Sequence, residues 1–202
     1  ELLDAGVDCI TTGNHVWKHK EIYSYLGKEP RLLRPANYPV GAPGAGYGIY
    51  EKSNVKIAVV SIEGRVFLNR IEDPFRIGKF MVSVSAKETN NIFVDFHAEA
   101  TSEKKALFFY LSGSVTAMIG THTHVPTADE QIRDGTAYIT DVGMAGVADS
   151  VIGVEKELII QNYLTALPRK FEPAKGEVVI NTVIIEFDEK TGKAISITRR
   201  NF

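Results

Sequence analysis

Five histidines serve a chain of 202 residues, and two of them share one tetrapeptide, Thr121-His122-Thr123-His124, directly behind the apolar run Val115 to Gly120. Alternate residues of an extended segment point the same way, so this pair is expected to present two imidazoles on one face at the end of a strand. His97 closes a second apolar run that begins at Asn91, and His15 follows Gly13-Asn14 behind a third, Val7 to Thr12. In open α/β sheets ligands collect beyond the carboxyl ends of the strands, which would bring the three ends together. An amide oxygen with three or four imidazoles suits borderline divalent cations such as Zn, Mn, Fe or Ni. Ca and Mg prefer all-oxygen surroundings. Spacing alone leaves Asn14 open between a ligand and a residue that tolerates a left-handed turn after Gly13. Asp95 and Glu99 flank His97 and read as partners that orient its ring.

The elements that must hold these residues follow from apolar periodicity and breakers. The pattern predicts a helix end at Gly6, a strand over 7–12, a short helix over 19–26 and a Pro/Gly-rich irregular passage from Pro30 to Gly48. A strand from Lys56 to Ile62 follows. Beyond it come an irregular stretch at Asp73-Pro74 and a segment, Phe80 to Asn90, that fits no single period. Ile92 to Phe96 reads as a strand feeding a helix over 101–111, with Thr101 or Ser102 as N-cap and Gly113 at its end. After a strand over 115–119, Asp134-Gly135 predicts a tight hairpin turn between Gln131–Arg133 and Thr136–Thr140. Glu155 to Ala166 reads as a helix stopped by Pro168. Glu177–Phe187 and Ala194–Arg200 read as a closing hairpin around Thr191-Gly192. Early alternation of strands and helices, with hairpins at the end, predicts one α/β domain over 1–202 without linker or repeat.

Composition excludes several classes. With 44% hydrophobic and 24% charged residues and a net charge of -2, the chain has the make-up of a globular protein with one sizeable core. No run approaches the roughly 18 apolar residues of a membrane span, and a pI near 6.3 gives no basic footprint for duplex nucleic acid. The single cysteine, Cys9, permits no internal disulfide, which favours a reducing, cytoplasmic setting. Homo-oligomerisation is left open. Among the other conspicuous residues, His19 between Lys18 and Lys20 reads as exposed, Trp17 as a packing anchor, Lys104 as a charge on a helix surface, and Gly41 to Gly46 as a flexible loop. That loop has no Lys-Ser/Thr behind it and so is not a phosphate cradle.

Gly13-Asn14-His15, the histidine His97 after the strand at 92–96, and Gly120-Thr121-His122-Thr123-His124 resemble the last three metal motifs of the calcineurin-like metallophosphoesterases. Thr11 to His15, Arg34-Pro35-Ala36-Asn37, the ten-residue run Asp95 to Lys104 and the run Gly135 to Met144 carry a closer resemblance to one branch of them. Within these the chain is most similar to the YmdB-like bacterial phosphodiesterases, over almost its whole length. The resemblance implies a four-layer αββα fold, a β-sandwich flanked by helices, with a dinuclear centre of Fe, Mn or Zn. It implies metal-dependent hydrolysis of small phosphodiesters, with 2′,3′-cyclic nucleotides as the substrate class. Asn14, His97 and His122 then match ligands of one cation and His124 a ligand of the other, while His15 matches the residue that assists at the scissile phosphate. In that family an Asp on the first strand and a Glu-Asn pair after the second complete the ligand set. This chain opens beyond those positions, so an upstream segment with the first strands is expected to be missing. Relatives often carry an acidic residue soon after the Asn-His step, where this chain has Val16-Trp17-Lys18. Two other readings use the same ligands: a catalytically silent metal-binding regulatory module, and a nuclease or phosphomonoesterase.

Overall fold

Apolar residues at alternate positions of Ile92-Phe93-Val94-Asp95-Phe96-His97 make a strand with two different faces, and the fold is organised around that difference. The structure is a computed structural model and describes residues 1–202. Its elements are β1 (Ile10–Thr11), α1 (Ile22–Leu26), β2 (Leu32–Leu33), β3 (Tyr47–Lys52), β4 (Val55–Glu63), α2 (Pro74–Ser85), β5 (Ile92–His97), α3 (Thr101–Leu111), β6 (Ala117–Thr121), β7 (Gln131–Arg133), β8 (Thr136–Ile139), β9 (Ala145–Val147), α4 (Lys156–Thr165), β10 (Val178–Phe187) and β11 (Ala194–Asn201).

Six strands form one sheet in the order β3-β4-β5-β6-β8-β7. The four central strands run parallel, and the two edges are antiparallel. On one face Ala58, Val60, Ile62, Ile92, Val94, Phe96 and Met118 pack with Leu107, Phe108 and Leu111 of α3 and Val82 of α2 into the main core. On the other face Ala117, Ala137, Phe93 and Ile119 meet Ala194, Ile185 and Ile197 of a second sheet, ordered β11-β10-β9. The Phe93 and Phe187 rings cross edge to face at 5.4 Å between the two sheets. The architecture is thus mixed α/β, with two sheets face to face and helices over the outer face of the larger one. No helix is long and apolar enough to cross a membrane.

Several sequence expectations change. The strand over 7–12 contracts to β1, and the helix over 19–26 to α1. The Pro/Gly passage contains β2, which pairs in parallel with β1, and it ends in β3. β3 returns into β4 through Ser53 and Asn54, both at positive φ (52° and 66°), as a two-residue hairpin turn requires. Asp73-Pro74 starts a helix: Asp73 Oδ1 accepts the Phe75 and Arg76 N–H groups at 2.8 and 3.0 Å, and Pro74 occupies the first turn, where its missing donor costs nothing. The N-cap of α3 is Ala100 rather than Thr101 or Ser102, and Ser112 takes the C-cap with Gly113 beyond it at φ 81°. Lys104 is not on a surface at all; its side chain is fully buried.

Candidate metal centre

Three parallel strands end level with one another. Glu63 of β4 stands in register with His97 of β5, and His97 with Thr121 of β6. All three fall on the face that carries Phe93, because side chains alternate along each strand. The segment behind β1 crosses this row: Ser61 Oγ donates to the Thr12 carbonyl at 3.2 Å, and the Thr12 N–H donates to the Leu33 carbonyl at 2.9 Å. That stitching delivers Gly13 and Asn14 over His97. A Cβ on Gly13 would lie 2.2 Å from His97 Nε2, so the absence of a side chain is what lets the ring occupy its place.

The polar atoms of three expected ligands meet there. His97 Nε2 is 2.9 Å from Asn14 Oδ1 and 3.1 Å from His122 Nδ1. One ring hydrogen on Nε2 cannot serve both neighbours well, whereas a cation can take electron pairs from all three. Bonds of roughly 2.0–2.2 Å at right angles place neighbouring donor atoms about 3 Å apart, which is the spacing found. The residues therefore fit a divalent cation. Desolvation, and then the neighbouring His122, lower the pKa of His97 to about 4, so its ring is neutral and keeps a lone pair at ordinary pH. His122 is also lowered by desolvation, against the opposing pull of Glu99, whose Oε2 stands 2.9 Å from His122 Nε2. The far nitrogen of His97, Nδ1, lies 3.2 Å from Thr121 Oγ1, which donates to Asp95 Oδ1 at 2.7 Å. Asp95 thus stands behind the His97 ring, through Thr121, whereas Glu99, expected to orient the same ring, bonds to His122 instead because it lies beyond the end of β5.

His122 and His124 reach their positions by a route that strand alternation does not describe. β6 ends at Thr121, and both histidines lie beyond it at positive φ, 105° and 68°. Such backbone in a residue with a Cβ costs on the order of 1–3 kcal/mol each and survives only where the surroundings impose it. Here the imposition is visible: Asp141 Oδ2 accepts the Thr123 N–H at 2.9 Å and is itself held by Lys104 Nζ at 2.8 Å, with side-chain exposures of 1% and 0%. His124 does not join the other ligands. It is exposed, with Nδ1 3.5 Å from the Ile152 carbonyl. No three His, Cys, Asp or Glu side chains form a metal cage by themselves, so Asn14 is needed to complete the trio. His15 is exposed beside the trio, and His19 is exposed as expected.

The profile of YmdB-like proteins matches residues 1–200. The chain belongs to the YmdB-like family. That family lies in the metallophosphoesterase superfamily, and the fold described above is of that class. The YmdB-like chain is 46% identical over 199 residues to a Bacillus subtilis (strain 168) protein named 2′,3′-cyclic-nucleotide 2′-phosphodiesterase, covering 98% of this chain and 75% of that one. It superposes with a TM-score of 0.92 on the crystal structure of a hypothetical protein from Thermus thermophilus, at 40% identity, over 100% of this chain and 78% of that chain. A structure described as a novel phosphatase from Mycoplasma pneumoniae gives a TM-score of 0.91 at 35% identity, over 100% and 74%. Sequence reasoning about this YmdB-like chain named Asn14, His97 and His122, which the fold brings together, but did not single out Thr121 or pair Lys104 with Asp141. The in-register row on parallel strands could have pointed to Thr121. Nothing local marks Lys104, because its burial depends on how α3 lies against the end of β8.

Proposed function

We propose that the chain is a metal-dependent phosphodiesterase that opens 2′,3′-cyclic nucleotides. One observation carries this reading: Asn14 Oδ1 and His122 Nδ1 stand 2.9 and 3.1 Å from His97 Nε2, the spacing of neighbouring donors in a coordination shell, in a chain of the YmdB-like family. The name of the Bacillus subtilis relative supports the substrate class. Two cations, drawn from Fe, Mn or Zn, are proposed for the protein with the upstream Asp and Glu-Asn ligands in place, with His124 serving the second. Residues 1–202 by themselves offer three ligands to the first and one to the second. A divalent cation held there supplies positive charge for the phosphoryl oxygens and a water acidified towards neutrality.

The chain's own residues supply the rest. Glu99, and Asp95 through Thr121, fix the far nitrogens of His122 and His97 and so the direction of their lone pairs. His15, exposed next to Asn14, donates a ring N–H proton to the departing ribose oxygen, a contribution of about 10²–10⁴-fold. The water oxygen bonds to phosphorus as the P–O bond to that ribose oxygen breaks, and the proton His15 gives up is replaced by the one the water loses. The test is hydrolysis of 2′,3′-cyclic AMP followed by ³¹P NMR, after chelation and after return of Mn²⁺. Loss and recovery of turnover is expected. Undiminished hydrolysis in the chelated protein would refute metal dependence, and no hydrolysis with Mn²⁺ would refute the substrate class.

A further inference from the structure

Past the turn that carries Asn14 and His15 lies a cavity of about 300 Å³ walled by Trp17, Tyr23 and Tyr38 with Pro39, Ala42 and Pro43. We infer that this cavity is the nucleobase subsite of the enzyme, taking the base of the cyclic nucleotide by stacking and without reading its identity. The inference rests on the phosphodiesterase reading and adds to it where the non-reacting end of the substrate binds.

Two observations place it there. The turn carrying Asn14 and His15 is closed by i→i+3 bonds, Val16 N–H to the Gly13 carbonyl and Lys18 N–H to the His15 carbonyl, both 3.0 Å. These turns carry the chain from Asn14 and His15 directly into Trp17, two residues beyond His15. At the other wall the Tyr38 hydroxyl donates to Glu63 Oε2 at 2.9 Å, and Glu63 is the in-register neighbour of His97, one strand spacing of roughly 4.8 Å away. The Trp17 and Tyr38 walls are therefore tied, through one turn and one hydrogen bond, to the elements that carry Asn14 and His97. Its volume is at the small end of ligand pockets, which suits one ring system.

The lining also dictates what is recognised. Trp17 crosses Tyr23 and Tyr38 edge to face at 5.4 and 5.6 Å, so the rings brace one another upright. Both tyrosine hydroxyls are already engaged: Tyr38 Oη with Glu63 and Asn69, and Tyr23 Oη donating to the Trp17 carbonyl at 3.4 Å. What remains for a ligand is π-surface and proline ring, which attracts any base and selects none.

Trp17 is the only tryptophan, so its fluorescence reports on this cavity alone. Titrated with adenosine, which has no phosphate and needs no turnover, the protein should show saturable quenching, and cytidine should do the same within about tenfold. Ala42→Phe, which fills the cavity from the loop side without altering the three rings, should abolish the quenching. The preference in kcat/KM for 2′,3′-cyclic AMP over ribose 2′,3′-cyclic phosphate should fall in that variant by roughly 5- to 150-fold, chiefly through KM, as expected for loss of one stacked base. Quenching by adenosine in a protein that hydrolyses neither cyclic phosphate would uphold the subsite and sink the activity. Normal hydrolysis with no quenching, or an unchanged preference in Ala42→Phe, would overturn the subsite and leave the activity standing.

Discussion

Each residue at the centre is held by a neighbour, and this makes single changes informative. Gly13 has no positive φ to protect; its role is steric, since a Cβ would enter the His97 ring. Gly13→Ala should therefore leave the fold intact while weakening Mn²⁺ binding by about tenfold or more, the scale seen when ring orientation is disturbed. A calorimetric titration matching the parent would contradict that. Glu63, the in-register neighbour of His97, offers a pH test of stability. Burial raises its carboxyl pKa above the ordinary value, only partly offset by the hydrogen bonds from Tyr38 and Asn69. A carboxyl raised on folding binds its proton more tightly in the native state. Its stabilising contribution is complete below the unfolded pKa near 4.3 and fades as pH rises through the raised value. Glu63→Gln keeps an acceptor for Tyr38 and carries no charge, so its urea midpoint should gain on the parent between pH 4 and pH 8. A gap that stays constant over that range would mean that Glu63 titrates as it does unfolded.

At the level of elements, the buried Lys104–Asp141 pair couples α3 to the strained turn after β6. Lys104→Met strands a buried carboxylate, and about 3–5 kcal/mol of stability should be lost. Replacing both partners by apolar residues should recover much of that stability yet not the His122 geometry, since Thr123 would lose its acceptor. Measuring unfolding and Mn²⁺ affinity together separates the two effects; full recovery of affinity in the double variant would show that the turn holds itself. The same elements show what a linear pattern carries. β5, α3, α4 and the β7–β8 hairpin were readable because apolar period, Asp134-Gly135 and Pro168 act locally. α2 was not, because Asp73-Pro74 signals a turn and a helix start equally well, and only the Phe75 and Arg76 N–H groups decide between them. β3 was hidden by the glycines and prolines before it. The turn at His122 was unreadable because positive φ there is imposed by Asp141, which is distant in sequence.

At the scale of the whole molecule, the two facing sheets keep the ligand-bearing strand ends level, and the second sheet contributes through packing rather than chemistry. Phe187 crosses Phe93 at the interface. Phe187→Ala should lower stability, read as a lower melting temperature, by less than the ~3–5 kcal/mol of a fully buried phenylalanine, because its side chain is only half-buried. Mn²⁺ affinity should stay near the parent value, and a collapse of that affinity would mean that sheet packing sets the site. The decisive measurement is a paired one on His15→Ala and His122→Ala: bound Mn²⁺ and turnover of 2′,3′-cyclic AMP in the same preparations. His15→Ala should retain its metal and lose about 10²–10⁴-fold in turnover, because its work is at the leaving oxygen. His122→Ala should lose both. Equal metal loss in the two variants, or full metal retention by His122→Ala, would contradict the division of labour proposed for the centre.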